Sequence, residues 1–386
     1  MQKKLIALAV AGLVSGAAFA QTNVTIYGAA DATLELVQAK GAEISAQNVD
    51  RFSRVNSNSS ILGFRGSEDL GGGLKAIFQF ETGITHDQSG ASTFGRDTFV
   101  GLQGGFGQIK AGLITGPARS LGAAVDLTVG ATGIGANTPM LGKLGGNAGA
   151  AFSYWDTRRS NAVQYVTPKF GGFEVRAMYG AGENQKADSV AGNRDAGRTY
   201  ELGGFYNNGP WYAGLTYGQV KPESTQLILA PTGTKQTNIR LAGAYTFQAG
   251  HKITALFEQT KADDVAAYGN EDVKSYTYGI GGKFKVSQPG AIIAQVYQVG
   301  KLKGAVEAND YKANFITIGY EHALSKRTVL KAYYSRIDNK ELAQYNYGIG
   351  NIGGTAGAAP TGTGLAGGIG AGSNPTGFAV GIRHSF

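Results

Sequence analysis

Short segments along the chain alternate between apolar and polar side chains. From Leu74 to Glu81 one parity carries Leu, Ala, Phe and Phe, and the other carries Lys, Ile, Gln and Glu. A period of two belongs to a β-strand whose two faces meet different surroundings. The same split recurs within residues 238–247, 275–283 and 316–321. The pattern predicts the wall strands of a sheet that separates an apolar from a polar medium.

The breaks between these segments are of two alternating kinds. Seven are short and dense in turn-forming residues, at 67–73, 104–107, 168–172, 207–210, 248–250, 287–290 and 323–326. Eight are long and polar or rich in glycine, near 38–50, 87–94, 115–158, 181–196, 220–235, 262–270, 303–309 and 337–375. These connections join sixteen strands, and their alternation is typical of bacterial outer-membrane barrels, whose short turns lie on the periplasmic side.

We therefore predict an all-β fold, a sixteen-stranded antiparallel transmembrane β-barrel. The connection at 115–158 is rich in Gly, Ala, Leu and Thr and carries few charges. An exposed loop does not need so many apolar side chains, which predicts a long third loop folded into the lumen.

The first twenty residues have the pattern of an export signal. Lys3 and Lys4 precede an apolar run, and Ala18-Phe19-Ala20 ends it with small residues around the expected cleavage site. The sequence thus predicts a cleaved signal peptide at 1–20 and a single barrel domain at 21–386.

Composition narrows the class of function. The chain holds 61 Gly, 19 Tyr and 18 Phe but only 16% charged residues. After the signal no run of 18 apolar residues follows, so no transmembrane helix is expected. The formal charge of +8 falls to +6 without Lys3 and Lys4, and no basic block suggests nucleic-acid binding.

Residues with catalytic or metal-binding chemistry do not form a motif. The chain has no cysteine, and its four histidines are scattered without the spacing of metal ligands. It has no Gly-x-Ser-x-Gly motif, and its glycine-rich stretches lack the Lys-Ser/Thr ending of a phosphate loop. We predict a protein that is not an enzyme and that holds no cofactor and no metal.

Several segments resemble the trimeric general porins of β-proteobacteria. They are Asn23-Val-Thr-Ile-Tyr-Gly-Ala-Ala-Asp31, the turn block Gly-Ser-Glu-Asp-Leu-Gly-Gly-Gly-Leu at 66–74, Leu324-Ser-Lys-Arg-Thr328 and Gly381-Ile-Arg-His-Ser-Phe386. The resemblance implies a homotrimer of barrels in the outer membrane, each with a pore narrowed by the third loop and a weak anion preference. The final strand is expected to end in the lower aromatic girdle with Phe386 as the barrel-closing aromatic.

The sequence departs from this family in two places. Gly112 is followed by Leu113 where many relatives carry a basic residue. The third loop offers only Asp126 and Asp156 as acids where relatives commonly present several. Relatives set a strong electric field across their pore. With so few acids in the third loop, that field is expected to be weaker in this chain.

Candidate pore residues follow from strand parity and from their position beside the third loop. If Leu74 and its parity face lipid, then the side chains of the opposite parity face the lumen. The constriction candidates are Arg158, Arg159, Lys110, Arg176, Lys75, Glu81, Arg54, Arg96, Asp126 and Asp156. The alternative for the bases is hydration of a wide lumen, and for the two acids it is anchoring of the loop. Arg65, Glu68 and Asp69 are interpreted as structural residues of the first short turn.

The sequence predicts a porin of the cell outer membrane that lets small hydrophilic solutes and ions diffuse passively, with mild anion preference from a basic lumen. Its expected partners are outer-membrane lipid and lipopolysaccharide, small hydrophilic solutes and anions, and copies of itself in a homotrimer. Two alternatives stay open: a substrate-specific porin channel, and a structural or adhesive barrel whose lumen is plugged.

Overall fold

The computed structural model describes residues 23–87, 94–145, 155–182, 197–221, 235–265, 269–352 and 368–386. The predicted signal peptide lies outside these residues. The described part is almost entirely β-structure. Its strands are β1 Asn23–Lys40, β2 Val49–Asn56, β3 Ile61–Gly71, β4 Leu74–Gly83, β5 Thr98–Gly104, β6 Gly107–Thr115, β7 Arg158–Val166, β8 Phe173–Ala181, β9 Arg198–Asn208, β10 Trp211–Lys221, β11 Gln236–Thr246, β12 Lys252–Val265, β13 Glu271–Lys285, β14 Gly290–Val299, β15 Ala313–Ala323, β16 Thr328–Asn339 and β17 Asn374–Ser385.

The sheet closes on itself through its first and last strands. β1 pairs with β17 on one edge, and on its other edge it pairs with both β2 and β3. These two strands form one wall position that is interrupted at residues 57–60. The remaining strands pair consecutively and antiparallel around the ring. The described strands therefore occupy sixteen wall positions, which confirms the predicted sixteen-stranded barrel and leaves no open edge in the membrane.

The two faces of the wall differ as the alternation predicts. In β1 the side chains of Val24, Ile26 and Leu34 are more than half exposed, whereas Asp31 and Glu35 of the opposite parity are fully buried. The outward face is suited to lipid and the inward face to a polar lumen. Exposed aromatic side chains form a girdle at the short-turn end, made of Phe106, Phe170, Phe173, Trp211, Phe247, Phe284 and Phe386.

The third loop enters the barrel, as predicted. It begins with helix α1, Pro117–Val125, whose first helical position is occupied by Pro117. Leu121, Ile134 and Leu141 of the loop are completely buried and share one apolar cluster with wall residues such as Phe315. Burial of each such side chain contributes about 1.5–3 kcal/mol. Among the described residues, no helix has the length and apolar character required to cross a membrane.

Candidate functional site

Charged side chains that point inward from the wall hold the start of the third loop. Glu201 of β9 accepts a hydrogen bond of 3.2 Å from the Ala118 amide, which belongs to the first turn of α1 and has no partner within the helix. Arg240 of β11 donates one hydrogen bond to the Ala118 carbonyl and another to the Glu258 carboxylate. Glu258 also accepts a hydrogen bond from the Gly142 amide. The first turn of the helix is thus fixed to β9 and β11, and the later part of the loop at Gly142 is fixed to β12.

The rest of the loop is bound to strands farther along the same half of the wall. The Leu127 amide donates to Gln295 of β14 at 3.2 Å, and the Val129 amide donates to Glu321 of β15 at 2.8 Å. The hydrogen bonds that join described residues 116–145 to the wall all run to β9 or to β11–β16. The loop therefore lies along one half of the lumen and faces the wall of β2–β8.

Asp126 lies inside the loop and organises it. Its carboxylate accepts hydrogen bonds from the Asn137 amide at 2.7 Å and from the amide and hydroxyl of Thr128 at 2.9 and 2.7 Å. Burial raises the pKa of this carboxyl to about 6, against the opposing effect of its hydrogen bonds. The geometry matches the loop-anchoring alternative, because the carboxylate is turned into the protein.

Asp156, at the far end of the loop, faces two arginines. Its carboxylate lies 3.2 Å from Nη1 of Arg119 on α1 and 3.6 Å from Nη1 of Arg240. The side chain is almost fully buried. Both acids of the third loop are therefore enclosed, and neither forms part of an exposed acidic rim.

Arg158 and Arg159 stand where the loop returns to the wall, as expected, and each is ion-paired. Nε of Arg158 lies 3.0 Å from Asp97, and Nε of Arg159 lies 3.1 Å from Glu201. The Arg159 guanidinium also rests 5.5 Å from the ring centre of Trp155. Their charges are largely cancelled by adjacent carboxylates.

Arg54 and Arg96 lie near the loop end of the barrel and are paired as well. Arg54 binds Glu35 at 2.8 Å and the Asn351 carbonyl of the eighth loop at 2.8 Å. Arg96 binds Glu81, which also accepts a hydrogen bond of 3.0 Å from the Tyr27 hydroxyl. Glu81 is buried, so the carboxylate of this predicted lumen acid is occupied by its two partners, Arg96 and Tyr27.

Three lumen bases on the wall opposite the third loop have no such partner. Among the described residues, Arg65, Lys75 and Lys110 make no ion pair with a carboxylate. Arg65 lies 4.9 Å from the ring centre of Tyr27, and Nζ of Lys110 lies 4.9 Å from that of Phe99. An aromatic ring holds a cation in place without supplying a negative charge. No bound carboxylate therefore offsets the charge of these bases.

Arg65 was interpreted from the sequence as a structural residue of the first short turn. It is not part of the short turn, since it lies inside β3, whose turn follows Gly71. Arg65 lies directly opposite Gln79, whose side chain is on the lumen-facing side of β4. The parity of Arg65 with Gln79 was the sequence signal that could have placed its side chain in the lumen.

Arg176 extends this basic wall to β8. Its guanidinium lies 4.5 Å from the ring centre of Phe205 and 2.6 Å from Glu174 on the same strand. Glu174 offsets much of its charge. Arg176 therefore contributes less to the field in the lumen than Lys110 does.

A buried charge cluster joins the first, sixteenth and seventeenth strands. Asp31 of β1 binds Nζ of Lys331 at 2.6 Å and Nη1 of Arg383 at 3.0 Å. Both Asp31 and the Lys331 side chain are fully buried. No sequence pattern pointed to this cluster, because Asp31 and Lys331 are 300 residues apart.

Phe386 lies where the barrel closes. Its amide and carbonyl exchange hydrogen bonds of 3.0 and 3.1 Å with Gly28 of β1. A Cβ atom at Gly28 would come within 2.5 Å of the Phe386 ring, so the glycine makes room for the terminal aromatic.

A closed sixteen-position barrel with an apolar outer face, a charged lumen and a folded third loop defines a pore-forming protein of the outer membrane. Comparisons agree with this class. A sequence profile described as Gram-negative porin matches residues 7–342. The chain is 36% identical over 391 residues to outer membrane porin protein 32 of Delftia acidovorans, with the whole of both chains covered.

A second relative is major outer membrane protein P.IB of Neisseria gonorrhoeae, 28% identical over 348 residues, which cover 85% of this chain and 91% of that one. Among solved structures, an anion-selective porin from Comamonas acidovorans matches with a TM-score of 0.73 and 30% identity, covering 95% of this chain and 100% of that one. The chain belongs to the Gram-negative porin family. The predicted family, pore-forming function and outer-membrane location are confirmed, and porins are channels rather than enzymes.

Proposed function

We propose that this porin passes small hydrophilic solutes by passive diffusion, prefers anions and converts none of them chemically. The observation that carries the proposal is the unequal distribution of unpaired charge. Arg65, Lys75 and Lys110 face the lumen without a described carboxylate partner, whereas Asp126 and Asp156 of the third loop are buried. On the wall that faces the third loop, these bases therefore present positive charge that no bound carboxylate offsets.

Fixed positive charge selects anions through a simple field effect. A passage with low-dielectric walls concentrates ions of the opposite sign and repels those of the same sign. Ion-paired bases such as Arg158 add little, because their field and that of the partner cancel beyond the pair. The selectivity is therefore assigned to the unpaired bases, with a smaller share for Arg176. The naming of the related Comamonas protein as anion-selective supports the same sign.

The test is the reversal potential of single channels in planar bilayers across a tenfold KCl gradient. Large stable steps with a reversal potential of the anion-selective sign are expected. A cation-selective sign would overturn the role of the unpaired bases. No conductance from folded protein would instead favour a structural or adhesive barrel, and block by one solute class at low concentration would favour a substrate-specific porin.

We further propose that the mature protein is a single barrel domain at 21–386, formed by cleavage at residue 20, and that it assembles as a homotrimer. One similar structure, OmpT of Vibrio cholerae, is described in a trimer form, and its 17% identity supports the shared fold alone. The mass of the purified detergent-solubilised protein and its N-terminal sequence test both points. A monomeric mass would contradict the trimer, and an N-terminus at Met1 would contradict the cleavage.

A further inference from the structure

One apolar side chain stands among polar ones on the lumen face of β4. The inward parity of this strand reads Lys75, Ile77, Gln79 and Glu81, so Ile77 interrupts a polar series. Its side chain is only half-buried and belongs to none of the apolar clusters of the described core. Apolar surface is thus left in contact with the water of the pore, and a solute with an apolar part can cover it.

Phe99 of the neighbouring β5 enlarges this apolar surface. It shares its inward parity with Gly101, which lies directly opposite Ile77. Because Gly101 carries no side chain, Ile77 and Phe99 border the same open position of the wall. Phe99 is half-buried and packs on one side against the buried cluster that contains Met178. We call Ile77, Phe99 and Gly101 the lumen patch.

Three bases surround the lumen patch. Lys75 lies two residues from Ile77 on β4, Lys110 lies directly opposite Gly101, and Arg65 lies on the adjacent strand β3. The spacing of residues along a strand and of strands in a sheet places the Cα atoms of all three within about 10 Å of that of Ile77. None of the three forms an ion pair with a described carboxylate. The lumen patch therefore joins apolar surface to positive charge.

The lumen patch lies below the constriction. Ile77 is three residues from the start of β4 at Leu74, and Lys110 is three residues from the start of β6 at Gly107. Both strands begin at short turns, which mark the periplasmic side, so the patch stands about 10 Å above that rim. The third loop leaves the wall farther up, after Thr115. The patch is therefore separate from the ion pairs at the two ends of the loop.

A small anion that carries both an aromatic ring and a carboxylate fits this combination. Its ring can lie against Ile77 and beside the ring of Phe99, since aromatic rings favour offset or edge-to-face contacts. Its carboxylate is then close to Nζ of Lys110, which lies 4.9 Å from the ring centre of Phe99. The exposed guanidinium of Arg65 adds a planar cation that stacks well on aromatic faces.

We propose that the lumen patch is a weak binding site for small aromatic carboxylates and favours their passage over that of aliphatic carboxylates of the same charge. The inference rests on the anion-passing function proposed above, because the solute reaches the patch only through the lumen. Acetate and chloride respond to the charge of the bases alone. An aromatic carboxylate responds to the same charge and also covers the side chains of Ile77 and Phe99.

The experiment measures the block of single-channel KCl current by benzoate in planar bilayers. Three comparison solutes separate the contributions: acetate has the charge without a ring, cyclohexanecarboxylate has the charge and an aliphatic ring, and benzyl alcohol has the aromatic ring without the charge. We expect benzoate to reach half-block at a concentration about fivefold lower than acetate and threefold lower than cyclohexanecarboxylate. Benzyl alcohol should not block over the same range.

Two variants test the residues of the patch. Ile77→Gln gives β4 an uninterrupted polar face, and Phe99→Leu removes the ring and keeps an apolar side chain. Each should raise the half-blocking concentration of benzoate at least threefold and leave that of acetate unchanged. Both keep the charge of the lumen, so the KCl reversal potential should stay at the wild-type value. The matched control Tyr212→Leu removes an inward, half-buried ring of β10 outside the patch, and its block by benzoate should stay within twofold of the wild type.

Several results would overturn the site. Equal half-blocking concentrations of benzoate and acetate would remove it, and equal values for benzoate and cyclohexanecarboxylate would overturn the assignment to an aromatic ring. Block by benzyl alcohol would show that charge plays no part. An equal loss in Tyr212→Leu would move the binding away from the patch, as would an unchanged block in both test variants.

Failure of this inference is distinguishable from failure of the proposed function. An anion-selective reversal potential in KCl without any preference for benzoate would overturn the site alone. A cation-selective potential would remove the anion-passing function on which the site rests. If Phe99→Leu fails to fold, as judged by heat-modifiable mobility, Ile77→Gln decides the question, because Ile77 lies outside the described apolar clusters.

Discussion

Replacement of Lys110 by Gln should weaken the preference of the pore for anions. Lys110 faces the lumen from β6 and is held over Phe99 with no ion pair to a described carboxylate. The substitution removes one unpaired positive charge and keeps a polar side chain of similar length. Because no acid loses its partner, the change should act on the field in the lumen and leave the fold intact.

The magnitude follows from Coulomb's law for an ion that passes about 7 Å from the ammonium group. In water the interaction is about 0.6 kcal/mol, and screening at 0.1 M salt reduces it to about 0.3 kcal/mol. Anions lose this attraction and cations lose an equal repulsion, so the permeability ratio should fall by about threefold. In 1 M salt, where the Debye length is about 3 Å, the difference should nearly vanish.

The assay is the reversal potential of both proteins across the same KCl gradient at a low and a high mean concentration. The matched control is Asp97→Asn/Arg158→Gln, which removes an ion pair joined at 3.0 Å and leaves the net charge unchanged. This control should keep the wild-type selectivity at both concentrations. The reasoning is refuted if the control shifts the potential as far as Lys110→Gln does, or if the effect of Lys110→Gln persists in high salt.

Three further outcomes are expected. Burial raises the pKa of Asp126 to about 6, above its value of ~4 in an unfolded chain, so its contribution to stability is present at low pH and is lost as the pH rises through about 6. Protease protection of the third loop should fall over this range, and Asp126→Asn should abolish the pH dependence. A pH dependence that persists in this variant would show that another group causes it. Gly130 has φ +78°, and a Cβ there would lie 2.6 Å from Cζ of Arg383. Gly130→Ala should therefore lower the free energy of unfolding by about 1 kcal/mol or more and increase current noise in single-channel records. Quiet channels of wild-type stability would contradict the close contact. Deletion of Phe386 removes its two hydrogen bonds to Gly28 and should lower the free energy of unfolding by about 1–3 kcal/mol, seen as a lower urea midpoint; an unchanged midpoint would show that the closing strand does not need its last residue.

The acid and base pairs show where prediction from sequence stopped. Arg158 and Arg159 were correctly expected beside the third loop, and the pairing of Arg158 with Asp97 spans 61 residues of the chain. For the loop's two acids the sequence left two alternatives open, a place in the constriction or an anchor of the loop, because the pattern of a loop does not tell which way a carboxylate turns. Arg65 was assigned to a turn because its motif ends in one.

The sequence by itself determined the wall of this porin: the period of two, the alternation of short turns with long loops, the sixteen strand positions and the entry of the third loop into the lumen. These features are local, since each strand must present one face to lipid and each turn needs its own residue types. Only the tertiary structure decided which lumen charges remain without an ion pair. An ion pair depends on which strands become neighbours, on their register and on the path of the loop. For this reason Asp97 offsets the charge of Arg158, while Lys110 faces the pore without an ion pair to a described carboxylate.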